Sequence, residues 1–233
     1  MQLTVRNVAK FLDVTEDAVY RMIDDCEIPV VKVNDQFRFN KTDLLEWAMS
    51  RQLHVSPVML EGDESDCATT HASLSEALRL GGVFHNLPGV DKTAALRSLV
   101  EVMQLPDDVD RELLLRMYMA RETMASTGIG DGIAIPHVRN PVVLRMASPQ
   151  ITLGFTKNPV DFGAPDGKPV FAMFALVTPT TRSHLLLLSR LAFALRTSSL
   201  LDLIKAQAPK DELIAEFKRC ETSADETGKA ERP

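Results

Sequence analysis

One run of residues decides much of the local backbone of this 233-residue chain: STGIGDGIAIPH, residues 126–137. Three glycines in five residues favour a tight loop, because glycine adopts backbone angles that other residues avoid. The apolar triplet that follows predicts a short strand, and Pro136 restricts the chain immediately before His137. The run therefore predicts a histidine presented beside backbone N–H groups, and nested N–H donors bind anions such as phosphate.

A second histidine lies where a predicted strand passes into a predicted helix. Residues 170–177 are a continuous apolar run of strand length, and Thr178-Pro179 breaks it. A largely apolar helix is expected over 182–196, which places His184 near its N-terminus. The unpaired N–H groups and the dipole of a helix N-terminus favour anions. The alternative is a capping or core histidine without chemistry.

The motif from Arg121-Glu122 to His137 resembles the active-site motif of the enzyme IIA proteins of the phosphoenolpyruvate-dependent phosphotransferase system, in their fructose/mannitol/nitrogen-regulatory class. The family also has a second active-site histidine in a Thr-Pro-x-x-x-x-His-Leu context, which matches His184. The resemblance implies that His137 carries the phosphoryl group and that His184 supports or orients it. Two alternatives stay open: a glycine-rich connector with a surface histidine, and a retained fold that has lost phosphorylation.

Four polar residues around the motif are candidate phosphate contacts, and each has a structural alternative. The guanidinium of Arg121 matches phosphate geometry, but it can equally pair with Glu122 or another carboxylate. The hydroxyls of Ser126 and Thr127 either bind phosphate or only start the loop. Arg139 contacts phosphate or an acidic partner, or is a solvated arginine.

The expected chemistry is phosphoryl transfer between imidazoles. A neutral ring nitrogen is nucleophilic near neutral pH, because the ordinary histidine pKa is about 6.5. In the family this resembles, the donor is a phosphocarrier protein, and transfer depends on positioning and charge stabilisation. The sequence has no GxxxxGK[ST] loop and no kinase motif set, so ATP is not the expected donor. No His/Cys cluster has zinc spacing, and we expect no metal and no cofactor.

Residues 1–52 are expected to form a separate small module. Apolar residues at helical spacing predict two helices, the first capped by Thr4 and the second by Thr15. A short turn at Asp13-Val14 joins them, which is helix-turn-helix geometry.

The rest of this module predicts a wing. Segments 28–33 and 37–39 favour a β-hairpin, and a third helix is expected from Thr42. The order resembles the excisionase/MerR-like winged helix-turn-helix family, with its Leu-Thr-Val-x-x-Val-Ala-x-x-Leu opening. The resemblance implies candidate DNA contacts on the second helix and on or near the wing: Tyr20, Arg21, Lys32, Arg38 and Lys41.

The charge of the module opposes simple DNA binding. Residues 1–52 hold seven Lys/Arg against nine Asp/Glu, a net charge of −2. Affinity for DNA comes largely from neutralised phosphates, and Asp24, Asp25 and Glu27 would repel them. DNA binding then needs a segregated basic face, a homodimer or a small footprint. The alternative is a module that contacts protein.

The whole composition is that of a soluble chain with two domains. The fraction of apolar residues is 45% and the net charge is −6. We expect no membrane span and no signal peptide, and the three widely spaced cysteines suit a reducing cytoplasm. The polar stretch 53–70 reads as a linker, and residues 220–233 as a polar tail that is disordered from Glu221.

Strands alternate with helices in between, over 71–219. Helices are expected near 73–80, 92–104, 109–122, 182–196 and 210–218, and strands near 82–86, 132–136, 150–156 and 169–177. This alternation predicts an α/β layer fold, and the enzyme IIA resemblance implies a mixed sheet flanked by helices.

Three functions remain to be compared. The first is a phosphotransferase-system regulator, phosphorylated on His137 by a phosphocarrier protein and acting through the helix-turn-helix module or a downstream regulatory protein. The second is a sugar-transport enzyme IIA that passes the phosphate to a transporter domain. The third is a DNA-binding or scaffolding protein that works without phosphorylation.

Overall fold

The computed structural model describes residues 2–25, 27–33, 36–51, 53, 73–138 and 146–230, and the chain divides into two compact units, residues 1–68 and 69–233. Each unit has its own core.

The first unit is a small winged helix-turn-helix. Its elements are β1 (Gln2–Leu3), α1 (Val5–Leu12), α2 (Glu16–Asp24), β2 (Val31–Val33), β3 (Gln36–Asn40) and α3 (Lys41–Ser50). Antiparallel pairing gives the strand order β1-β3-β2. Phe11, Phe39 and Leu44 are fully buried between the helices and this sheet.

The helix caps and the turn of this unit lie where the sequence predicted them. The hydroxyl of Thr4 accepts the N–H of Asn7 at 3.3 Å, and that of Thr15 accepts the N–H of Ala18 at 3.2 Å, so both predicted helix caps are confirmed. Asp13 has φ of 53°, the left-handed conformation that ends α1 and turns the chain into α2. Strand β1 is an addition that the sequence did not predict, because it has only two residues.

The second unit is an α/β fold, as predicted. In chain order it contains α4 (Leu74–Gly81), β4 (Val83–Leu87), α5 (Lys92–Val102), α6 (Arg111–Met124), β5 (Gly128–Gly130), β6 (Ile133–Ala134), β7 (Gln150–Val160), β8 (Val170–Val177), α7 (Thr181–Ala194), α8 (Ser198–Lys205) and α9 (Lys210–Ala230). The strand order is β4-β7-β8-β6-β5. The pairs β4–β7 and β6–β8 are parallel, and β7–β8 and β5–β6 are antiparallel, so the sheet is mixed.

Helices cover both faces of this sheet. On one face, α5 and α6 bury Leu99 and Tyr118 in a cluster with Met173 and Val177 of β8. On the other face, Phe174 of β8 meets Phe217 of α9 edge to face, with ring centroids 6.1 Å apart. A sheet with two covered faces explains why β8 reads as an unbroken apolar run.

Several elements of this unit differ from the prediction, among them β5, which lies in the glycine-rich run predicted as a loop. Strand β7 extends four residues past the predicted end at Thr156, through a polar segment where its register with β8 shifts. Helix α8 was not predicted, because its eight residues follow α7 after a turn and show no separate boundary. The predicted disorder from Glu221 onward is wrong up to Ala230, because α9 continues to that residue.

Glu221 explains part of this extension. Its carboxylate accepts the hydroxyls of Ser73 at 2.9 Å and Ser75 at 2.8 Å, together with the backbone N–H groups of Leu74 and Ser75. These N–H groups belong to the first turn of α4, where a helix has no partners of its own. A side chain from α9 therefore completes the cap of α4, beside the local cap that Ser73 provides.

We expect Glu221→Ala to lower the free energy of unfolding by about 1–2 kcal/mol, because the first turn of α4 loses its charged acceptor. Urea denaturation of the full chain measures this. Lys218→Ala, on an exposed position of the same helix, is the matched control and should change stability by less than about 0.5 kcal/mol. Equal effects of the two substitutions would contradict the cap.

Candidate functional site

His137 lies at the carboxyl end of β6, beside the end of β8. The residues of β6 pair with Ala172 and Met173, and the ladder resumes as an isolated parallel bridge between His137 and Leu176. The N–H of Leu176 donates to the carbonyl of Pro136 at 3.0 Å. Pro136 has no N–H of its own, which ends the regular strand and leaves His137 at the edge of the sheet.

His184 reaches the same edge from the helix that follows β8. Thr180 caps α7 in a capping box with Ser183, and the backbone N–H of His184 donates to the carbonyl of Thr180 at 3.0 Å. Since parallel strands end at the same edge of a sheet, the residue after β6 and the first turn after β8 are neighbours. The ring centroids of His137 and His184 are 5.3 Å apart, so the structure brings the two predicted histidines together.

The tautomer of His137 follows from its hydrogen bond. Nδ1 lies 2.6 Å from the carbonyl oxygen of Ile135. A carbonyl only accepts, so Nδ1 carries the hydrogen of the neutral ring and Nε2 keeps its lone pair. The two histidines are 4% and 1% exposed, respectively, which places a nucleophilic nitrogen in a recess with little water.

The hydroxyls of Ser126 and Thr127 are engaged within the loop itself. Ser126 donates to the carbonyl of Phe162 at 2.7 Å and accepts the N–H of Gly128 at 3.0 Å. Thr127 donates from its hydroxyl, at 2.5 Å, and from its N–H, at 3.0 Å, to the carboxylate of Glu122. These contacts support the reading of both residues as the start of the loop.

Arg121 is buried at the end of α6, where its Nη1 donates to the carbonyl of Ala125 at 2.9 Å. The guanidinium therefore spans the step from the helix into the loop. Glu122 forms a salt bridge with Lys92, 3.0 Å away.

The pair Lys92–Glu122 is the part of the site that sequence reasoning missed. In the sequence Glu122 stands beside Arg121, and Lys92 stands thirty residues earlier with no motif around it. The Nζ of Lys92 also donates to the carbonyl of Phe162 at 2.8 Å and lies 5.5 Å from the centre of that ring. Only the packing of α5 against α6 reveals this neighbourhood.

Asp131, Asp166 and Lys168 form a set of contacts, the latch, at the tip of the glycine-rich hairpin β5–β6. Asp166 accepts the backbone N–H groups of Asp131 at 2.8 Å and Lys168 at 3.1 Å, and the Nζ of Lys168 donates to the carboxylate of Asp131 at 2.9 Å. Asp131, with φ of 52°, and Gly132, with φ of 76°, both adopt the left-handed conformation in this turn. The side chain of Phe171 leaves no room for a Cβ at Gly132, so glycine is required there.

The predicted DNA contacts lie in the first unit and differ in exposure. Tyr20 and Arg21 are exposed on α2, and Lys32 is exposed on β2. Arg38 is half-buried on β3 and donates to the side chain of Gln36 at 2.5 Å. Lys41 follows the wing as the first residue of α3 and is buried, so the expectation that it contacts DNA is not supported.

Arg139, a predicted phosphate contact, lies outside the described residues. Within the described ranges, no group of three or more His, Cys, Asp or Glu side chains is arranged to hold a metal ion. No helix in the part of the chain that the structure describes is both long and apolar enough to cross a membrane.

Comparison with known proteins gives consistent matches for both units. Residues 76–220 match the family described as "Phosphoenolpyruvate-dependent sugar phosphotransferase system, EIIA 2", and residues 3–52 match the one described as "Helix-turn-helix domain". The nitrogen regulatory protein of Pseudomonas aeruginosa is 34% identical over 145 residues, which cover 60% of this chain and 91% of that protein. The nitrogen regulatory protein of Escherichia coli K12 is 32% identical over 138 residues, covering 58% and 83% of the two chains.

A solved structure supports the same fold. The crystal structure of the nitrogen regulatory protein IIA-Ntr from Neisseria meningitidis superposes with a TM-score of 0.55 at 28% identity. The match covers 62% of this chain and 98% of that one, so it corresponds to the second unit in extent.

Acid should release the latch at the hairpin tip. The backbone N–H groups of Asp131 and Lys168 and the ammonium of Lys168 hold the pKa of Asp166 below its ordinary value. Because the folded-state pKa is the lower one, this carboxylate stabilises the fold above its unfolded-state pKa of about 3.9, and the contribution is lost as the pH falls through the folded-state pKa. We expect the carboxyl carbon-13 NMR resonance of Asp166 to titrate with a midpoint below about 3.9.

Asp166→Asn should abolish that titration, whereas Asp202→Asn, an exposed aspartate of α8, should leave it in place. A midpoint at or above the ordinary aspartate value would show that the latch is not formed in solution.

Proposed function

The chain belongs to the EIIA 2 family of the phosphoenolpyruvate-dependent sugar phosphotransferase system, and we propose that it accepts a phosphoryl group on Nε2 of His137 from a phosphocarrier protein. The observation that carries this proposal is the 2.6 Å hydrogen bond from Nδ1 of His137 to the carbonyl of Ile135. It leaves Nε2 as the ring nitrogen with a lone pair.

The step is an exchange of one P–N bond for another. The lone pair of Nε2 attacks the phosphorus of the donor phosphohistidine, and the donor nitrogen leaves with the electron pair of the breaking bond. The ring of His137 becomes more positive as the new bond forms. The carbonyl of Ile135, held against Nδ1–H, stabilises that charge.

The surroundings of Nε2 favour the negative charge of the incoming phosphoryl group. The N-terminal turn of α7 carries His184, and both the helix dipole and a second imidazole can stabilise phosphoryl oxygens. Arg121, at the entrance of the loop, is proposed as the further cationic contact. Burial of both histidines also keeps water from the product, which slows hydrolysis of the phosphoimidazole.

The presence of the first unit favours regulation over sugar transport as the role of this phosphoryl transfer. Its match to a helix-turn-helix domain accompanies relatives that are named nitrogen regulatory proteins, and sugar transport has no need of such a unit. We propose that the phosphorylation state of His137 biases the contacts of this unit with DNA in the cytoplasm. An added phosphate acts in this way by reordering a loop or an interface through its charge.

Phosphoryl transfer can be tested with the full chain, phosphoenolpyruvate, enzyme I and a phosphocarrier protein. Intact-mass analysis should show one phosphate on the wild type and none on His137→Ala. His184→Ala should slow uptake by about tenfold or more, because the phosphoryl group loses part of its support. The exposed histidine His85 of β4, which stacks on Phe155 of β7, provides the control His85→Ala, which should behave as wild type.

Nitrogen-15 NMR of the phosphorylated ring should place the phosphate on Nε2. Uptake by His137→Ala at the wild-type rate would overturn the proposed acceptor, and a phosphate on Nδ1 would overturn the proposed tautomer.

DNA binding can be tested by recovering and sequencing genomic fragments bound by the full chain. With an enriched fragment in hand, Lys32→Ala should weaken binding and lower the slope of log affinity against log salt by about 1, as expected for one lost phosphate contact. Lys157→Ala, an exposed lysine of β7, should leave the slope unchanged. The absence of any enriched fragment would favour a protein partner for this unit instead.

A further inference from the structure

An ion pair between α5 and α6 is connected to the ring of His137 by an unbroken series of hydrogen bonds. We propose that Lys92 and Glu122 are positioning residues, which act through Thr127 and Ile135 to set the orientation and tautomer of His137. The inference rests on the proposed function of His137 as the phosphoacceptor. It adds to that function two residues that do not belong to the histidine pair.

The series begins at a carboxylate that is almost completely buried. The side chain of Glu122 is 3% exposed, and its Oε1 accepts Nζ of Lys92 at 3.0 Å. Lys92 is itself held by the carbonyl of Phe162, at 2.8 Å, and by the face of that ring. The ammonium therefore has a defined position, unlike that of a lysine at an exposed ion pair.

The second link connects the carboxylate of Glu122 to the loop. Oε2 of Glu122 accepts both the hydroxyl and the backbone N–H of Thr127, at 2.5 and 3.0 Å. Two donors of one residue on one oxygen fix both the side chain of Thr127 and the backbone N–H that it shares with the Ser126 peptide group. The carboxylate thus has three donors on its two oxygens, all within hydrogen-bond distance.

The third link passes from the loop to the histidine. The carbonyl of Thr127 accepts the N–H of Ile135 at 2.9 Å, and the carbonyl of Ile135 accepts Nδ1–H of His137 at 2.6 Å. A displacement of Thr127 also displaces its carbonyl, which holds Ile135, and therefore moves the group that selects the tautomer of His137. Hydrogen bonds arranged in series in a low-dielectric site also polarise one another.

The charge of Lys92 is what keeps this arrangement in place. A buried carboxylate that loses its cation is left with an uncompensated charge, and it responds by taking up a proton or by rearranging toward water. Either response changes what Oε2 offers to Thr127. We therefore expect the loss of Lys92 to change the orientation and tautomer of His137, although 45 residues of sequence separate the two.

A second ion pair between the same two helices provides the matched control. Nη1 of Arg97 in α5 lies 2.9 Å from the carboxylate of Glu112 in α6, but these side chains are 51% and 56% exposed. Exposed pairs contribute little to stability. Arg97→Met therefore removes the same kind of bridge between the same helices without disturbing the loop.

The experiment compares Lys92→Met with Arg97→Met in the full chain. Long-range nitrogen-15 to proton NMR of the unphosphorylated protein reports the tautomer of His137, and the phosphocarrier assay reports the rate. Lys92→Met should convert a ring with hydrogen on Nδ1 into a mixture of tautomers and slow uptake by about tenfold to hundredfold, as expected for a misplaced nucleophile. Arg97→Met should match wild type in both measurements.

Variants at Thr127 test the second link and do not depend on the stability of Lys92→Met. Thr127→Val loses the hydroxyl and should shift the tautomer and slow uptake, whereas Thr127→Ser keeps it and should restore both. If Thr127 acted only on stability, Thr127→Val would leave the tautomer of His137 unchanged. There would then be no tautomer shift for Thr127→Ser to reverse.

The two proposals fail in different ways. A wild-type protein that takes up no phosphate overturns the acceptor role, while the tautomer in Lys92→Met and Thr127→Val still tests the positioning. Normal uptake by wild type with an unchanged tautomer and rate in both variants overturns the positioning alone.

Discussion

Parallel pairing of β6 with β8 is the constraint on which the site depends. Strand β6 has only two residues, yet its register carries on to the bridge between His137 and Leu176. Since β8 runs the same way, its end delivers the first turn of α7 to the same edge. An antiparallel arrangement of these two strands would place the two histidines at opposite edges of the sheet.

The geometry of the glycine-rich loop requires buried polar groups beneath it. Arg121, Glu122 and Thr127 are all largely removed from water, in a region where an apolar cluster would stabilise the fold more simply. Their hydrogen bonds connect the loop to the end of α6. Rigidity of this kind is useful where a ring nitrogen must meet a phosphorus atom at a fixed distance.

The sequence predicted the site better than it predicted some of the fold around it. Glycines, Pro136 and a helix cap act locally, so the positions of His137 and His184 could be inferred from short patterns. Lys92 could not, because its partner Glu122 is brought near by helix packing and not by spacing along the chain. Similarly, α8 lacked a boundary, β1 was too short to show alternation, and the polar composition of α9 beyond Glu221 resembled a disordered tail.

The cap that Glu221 gives to α4 also bears on how this unit is made. Among the described elements of the second unit, α4 is the first and α9 is the last, so the acceptor for the first turn of α4 is synthesised after the other elements of this unit. A chain emerging from the ribosome therefore carries an incompletely capped α4 until α9 has cleared the exit tunnel. The two ends of the unit then join, and the order of synthesis makes the last helix the one that completes the first.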